Sequence, residues 1–234
     1  MKTALPTSFN LQLPDAWYPV SLDKDDVRRT VDQATKVPGG ESFSADQVAW
    51  LKATLGKMVV EAKDAGVNFC ASYVDFLPEE DVVPATSEGP LIDDEGKIVP
   101  ETIPQMLLSA VVLLATYPAT DISPDGTAVS VEALLAALET PPNSRTRYLR
   151  DPTRVALPAG VSVMVKSLET FNAPELREPI PIYALTYHLP ISNGEGLALL
   201  AFRTPCLGLA DEFTELFEAM AESLEFSDEQ NGSA

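Results

Sequence analysis

The chain has 234 residues, with 16 basic against 35 acidic side chains and a formal charge of −19. That length holds one full-sized core or two small ones, and apolar and charged fractions of 45% and 22% are those of a globular protein, not of a disordered or collagen-like chain. Such acidity excludes general binding to a phosphate backbone, two cysteines exclude a disulfide-dense scaffold, and a single histidine excludes a multi-histidine metal centre.

Taken in chain order, Phe9, Leu11 and Leu13 alternate with polar residues as in a strand, Pro14-Asp15 marks a turn, and Tyr18 to Leu22 reads as a returning strand. Trp17, beside that turn, is expected to plug one end of the core. Asp23 to Lys36 has acids at its start and a lysine at its end, the order a helix dipole favours, and Pro38-Gly39-Gly40 stops it. Ser44 and Gln47 form a capping box ahead of Val48, Leu51, Leu55, Met58, Val59 and Ala62. Their three- and four-residue spacing predicts an amphipathic helix that ends at Gly66 and lies across a sheet.

Val67 to Leu77 reads as a strand, and Leu107 to Tyr117 as its buried partner. Between them, residues 78–105 contain Pro78, Pro84, Pro90, Pro100 and Pro104 together with Glu79-Glu80-Asp81 and Asp93-Asp94-Glu95-Gly96. So many prolines exclude a central strand or a continuous helix. Pro118 to Gly126 is a turn region, and Ser130 caps a short helix over Val131 to Glu139. From there the pattern is strand-rich: Arg145 to Arg150, Thr153 to Leu157, Val161 to Thr170, Ile180 to Pro190 and Leu197 to Arg203. Asn193-Gly194 is a hairpin signal. Leu209 to Phe226 is amphipathic, with Phe213, Leu216, Phe217, Met220 and Leu224 in one stripe, and Ser227 to Ala234 reads as a disordered tail. Successive hairpins without alternating strand–helix units predict one α+β domain over residues 1–226: a curved, mainly antiparallel sheet of about six to eight strands flanked by helices.

Charge is concentrated: residues 67–144 carry 1 basic and 13 acidic side chains, and residues 188–234 carry 1 and 9. The acids Glu79, Glu80, Asp81, Asp93, Asp94 and Glu95 are therefore candidate contacts for a basic protein partner. The one basic cluster, Arg145, Arg147, Arg150 and Arg154, is a candidate anion site or a set of partners for nearby acids. A Ser-His-Asp or Cys-His arrangement would have to use His188, which reads as an ordinary strand histidine. There is no nucleophile elbow and no phosphate-binding glycine motif, and Asp93-Asp94-Glu95-Gly96 lacks the spacing of a calcium loop. Neither an enzyme, a cofactor nor a metal is expected. Cys70 and Cys206 fit no redox or metal spacing and read as small buried residues. No apolar run reaches the ~20 residues of a membrane span, and no signal-peptide core follows Met1, so the cytoplasm is the expected location.

The segments Phe9 to Val20, Arg154 to Val165, Ile182 to Ile191, Gly196 to Pro205 and Asp211 to Leu224 together resemble a group of actinobacterial proteins. At the level of fold they are similar to the PsbP-like (Mog-type) superfamily. That resemblance implies a curved antiparallel sheet with the final helix packed on it. It also implies a non-enzymatic adaptor, accessory or chaperone role, with a link to secretion systems in some members. Two alternatives stand beside it: an immunity protein that neutralises a basic toxin, and a binder or enzyme for a small anionic ligand held by the arginines.

Overall fold

The computed structural model describes residues 6, 8–22, 62–63, 65–76, 107–123, 125, 127–171 and 179–227. The helices expected over 23–36 and 44–61, the acidic segment 78–105 with Glu79, Glu80, Asp81, Asp93, Asp94 and Glu95, and the tail beyond Ser227 lie outside the described residues. Ala62 and Lys63, at the end of the second expected helix, are helical.

The described strands are β1 (Ser8–Asn10), β2 (Trp17–Pro19), β3 (Val67–Phe76), β4 (Leu107–Pro118), β5 (Thr146–Tyr148), β6 (Thr153–Leu157), β7 (Gly160–Phe171), β8 (Ile180–Ile191), β9 (Gly196–Thr204) and β10 (Glu225–Ser227). The helices among them are α1 (Ala119–Ile122), α2 (Val131–Ala137) and α3 (Ala210–Glu222). Eight strands form one curled antiparallel sheet in the order β2-β3-β4-β9-β8-β7-β5, with β6 also pairing β7. The α+β architecture and the pairing of β3 with β4 are as the sequence predicts.

Alternation decides what each face of this sheet carries. On one face β8 presents Tyr183, Leu185, Tyr187 and Leu189, β9 presents Leu200 and Phe202, and β4 presents Val112 and Leu114, all buried. Helix α3 covers this face with Phe213, Phe217 and Met220, which lie four and three residues apart and so share one stripe. Phe217 stacks on Phe202 at 4.8 Å between ring centroids and meets Trp17 edge-on at 6.4 Å. Trp17 is buried and also stacks on Tyr73 at 5.9 Å. The Tyr183 hydroxyl donates to Thr214 Oγ1 at 2.6 Å, since the Thr214 hydroxyl is itself spent on the Ala210 carbonyl. Lys166 pairs with Glu218 at 2.9 Å, a partly exposed contact of about 0–1 kcal/mol. Aromatic burial therefore dominates the docking of α3.

The sequence pattern carried the last helix to Phe226, but α3 stops at Glu222 and residues Glu225–Ser227 form β10. Ser223 is the reason. Its hydroxyl donates to the Met220 carbonyl at 2.7 Å and accepts the Gln12 N–H at 2.9 Å, so the helix end is tied to the first segment of the chain. Phe226 then lies opposite Phe9 in the β1–β10 ladder. That small ladder replaces the strand expected through Leu13, and Leu11 and Leu13 pack against the core from irregular chain.

At the opposite end, the Asn193-Gly194 hairpin forms with positive φ at Ser192, Asn193 and Gly194. A Cβ on Gly194 would stand 2.6 Å from the Val129 carbonyl oxygen, so glycine is required there. The turn is bonded to its surroundings: Val129 N–H donates to the Gly194 carbonyl at 2.7 Å and Ala119 N–H to the Glu195 carbonyl at 2.8 Å. The region Pro118 to Gly126, expected as a turn, contains α1, and Ser130 caps α2 by accepting the Ala133 N–H at 3.1 Å.

Two substitutions test this account of the core. Phe217→Ala should lower the unfolding free energy by about 3–5 kcal/mol, because a buried ring is removed from a packed stack. Leu207→Ala, at an exposed position, should change it by no more than about 0.5 kcal/mol. Equilibrium denaturation of both variants measures the difference. Similar losses at the two sites would mean that α3 does not hold the sheet.

Candidate functional site

The second face of the sheet has a different composition. Read across β4, β9, β8 and β7, the register gives three rows: Val111–Arg203–Ala184–Ser167, Leu113–Ala201–Thr186–Val165 and Ala115–Leu199–His188–Val163. Small side chains recur in each row: Ala184 and Ser167, Ala201 and Thr186, and Ala115. The same strands carry Phe202, Leu185 and Tyr187 towards α3. This asymmetry leaves space above the second face.

Among the described residues, three groups cover its margins. Helix α2 packs Leu134 on Val163 and Leu197, with Val129 and Ala119 beside it. Val20 and Leu22 pack on Cys70, Val111 and Leu113 near the β2 edge. Ala62 and Ala65 reach the rim, where the Tyr117 hydroxyl donates to the Ala65 carbonyl. Between them lies a cavity of about 530 Å³. It is lined by Ser72, Ser109, Ala115, Thr186 and Ala201 together with the apolar Val111, Leu113, Ile182 and Leu199.

Among the described residues, one ion pair enters this cavity. Arg203 Nε donates to Glu169 Oε2 at 2.9 Å, and Nη2 reaches Oε1 at 3.5 Å. Both side chains are about 30% exposed, at 31% and 29%. Arg203 belongs to β9, flanked on both sides by other strands, and reaches diagonally over Ala184 to β7. Two nearby hydroxyls are engaged: Thr204 donates to the Ser109 carbonyl at 2.7 Å and Ser72 to the Ala110 carbonyl at 3.4 Å. Sequence reasoning did not single out Arg203 or Glu169. The available signal was the alternation of β9, where an arginine falls on an apolar face between Ala201 and Pro205.

The residues that sequence reasoning did single out are placed elsewhere. Arg145, Arg147, Arg150 and Arg154 are all exposed. Arg147 stands opposite Leu168 and Arg154 opposite Val163, five positions apart on β7, so these two point to opposite faces of the sheet. Arg154 pairs with Glu132 of α2. The four arginines therefore do not converge on one point. Cys70 and Cys206 are both buried thiols, as their spacing suggested. Burial pushes the Cys70 thiol up to about 12, which keeps it a neutral, unreactive group. Among the described residues no cluster of His, Cys, Asp or Glu could hold a metal ion, and no helix is long and apolar enough to cross a membrane.

His188 lies between Leu199 and Val163, and burial lowers its pKa from 6.5 to about 4. The neutral imidazole is thus the form the fold prefers, and its contribution is fully present above pH ~6.5. As pH falls from there towards about 4, the unfolded chain takes up a proton that the folded chain refuses, and stability on the order of 3 kcal/mol is lost. The chain has only 1 histidine, so its imidazole proton resonance is unambiguous. That resonance should titrate near pH 4, and His188→Gln should flatten the stability profile between pH ~4 and ~6.5. Titration at the ordinary value would show that the ring is solvated.

No family model matches the chain, and no curated protein matches it. Among solved structures it is similar to LpqN, described as involved in cell envelope biogenesis of Mycobacterium tuberculosis. The likeness has 11% identity over 67% of this chain and 84% of LpqN, with a TM-score of 0.34. At that distance the site rests on this chain's own geometry.

Proposed function

We propose that the chain is a non-enzymatic binding module with an accessory or adaptor role, and that it takes the apolar part of a small molecule into the cavity on the second face of the sheet. The observation that carries this reading is the cavity itself. At about 530 Å³ it falls within the ~300–1,000 Å³ of small-molecule sites, which are concave, apolar and furnished with a few polar groups. Its lining is built in the same way, from small and apolar side chains around one ion pair.

Two observations favour binding over catalysis. The Cys70 thiol is buried and protonated, and His188 is flanked in the sheet by Leu199 and Val163 with no nucleophile beside it in that row. The resemblance to the PsbP-like superfamily belongs to the same proposal, as does a cytoplasmic setting. A basic protein partner is compatible with it too: the acids at 79–81 and 93–95 would meet that partner while the cavity holds its ligand.

The test is uptake of a simple amphiphile. Decanol titrated into the full chain should bind with saturable heat and raise the unfolding temperature. Ala201→Phe places a ring in the lining of the cavity and should abolish that uptake, with the folded state retained. Absence of saturable binding to the wild type, or unchanged binding by Ala201→Phe, would remove the cavity as the site.

A further inference from the structure

We infer that the molecule taken up carries an uncharged, hydrogen-bond-accepting head group, read by Arg203, with Glu169 excluding anionic heads. This rests on the uptake reading above and adds the chemistry of the ligand's polar end.

The argument starts from position. Arg203 stands on a central strand, in a row with Val111, Ala184 and Ser167. A charge placed on such a face is costly unless it is paired and hydrogen-bonded. Glu169 supplies the pairing through Nε and one Nη2 hydrogen. A guanidinium is a donor only, with more N–H groups than one carboxylate engages, and the remaining N–H groups of Arg203 have no partner among the described residues. One row away, the Thr186 hydroxyl also has no hydrogen-bond partner among them. The charged contacts that the ion pair leaves unmet are therefore the N–H donors of Arg203, with a hydroxyl able to donate or accept one row away.

Each kind of head group fares differently there. A hydrocarbon with no head strips water from Arg203 and returns nothing, which leaves charged donors unsatisfied. An anionic head sets a second negative charge beside the Glu169 carboxylate on a guanidinium already neutralised, in a chain of net charge −19. A cationic head meets the guanidinium itself. An ester, an amide carbonyl or an alcohol oxygen accepts the free N–H groups and adds no charge. The geometry thus selects an uncharged amphiphile, with its tail over Val111, Leu113 and Leu199 and its head at Arg203.

Three probes with the same tail separate these cases: decanol, decanoate and decyltrimethylammonium, each titrated calorimetrically into the full chain. Decanol should bind at least about tenfold more tightly than either charged analogue. In Glu169→Gln the charge of Arg203 is uncompensated, so decanoate should gain about tenfold while decanol changes less than about threefold. Thermal unfolding checks that this variant is folded. Arg203→Lys provides an independent arm: it keeps the charge and loses the planar fork, and should weaken decanol without improving decanoate. Equal affinities for the three probes in the wild type, or no gain for decanoate in folded Glu169→Gln, would overturn the head-group assignment and leave uptake standing. Binding of none of the three would overturn both.

Discussion

The stack of Phe217 on Phe202 is the contact on which the rest of the described structure depends. It fixes α3 over β9, and β9 is central, bonded to β4 on one side and β8 on the other. Once α3 is docked there, the aromatic and branched residues of three strands have a common cover, and the alternating positions are committed to the second face. The end of α3 then sets β10, and β10 holds β1. A single helix position thereby propagates to the sheet, to the pairing of the chain's two outer described segments, and to the identity of the face left with small residues.

That second face is where packing and function meet. A sheet in an α+β protein usually buries one face and covers or solvates the other. Among the described residues its margins are covered by α2 and by the Val20 cluster, and alanine, serine and threonine are interspersed with the aliphatic residues of the middle, where the first face carries large aromatic rings. Filling the middle with larger side chains would add contact area at no topological cost. The small residues and the Arg203–Glu169 pair together describe a space held open beside a fixed polar group, which is the composition of a binding site more than of a second core.

The fold was largely legible in the sequence because its signals are periodic and local. The alternation in Ile180 to Pro190 and Leu197 to Arg203, the Asn193-Gly194 turn and the three- and four-residue spacing of Phe213, Phe217 and Met220 specify β8, the hairpin, β9 and α3 with few alternatives. The errors fall where a distant partner overrides a local pattern. Leu224 and Phe226 continue the helical stripe, yet Ser223 and the strand at Phe9 turn the chain out of the helix. Neither is visible without knowing that residues 219 positions apart come together, as Ser8 and Ser227 do.

The site was less legible, for a related reason. Clusters are what a sequence makes visible, and the clustered arginines at 145–154 diverge, because β5 and β6 meet β7 at positions of opposite parity. Arg203 is inconspicuous, being isolated in sequence, with its partner 34 residues earlier. Isolation is nonetheless the informative property. A charge within an apolar strand must find a counter-charge or a hydrogen-bonding occupant, or be lost to substitution by a residue that packs better. An arginine clustered with others on an exposed turn meets no such requirement, because water already satisfies it. In a chain whose acids outnumber its bases by more than two to one, a half-buried arginine isolated on a central strand is thus a sharper guide to the site than the group of four on the surface.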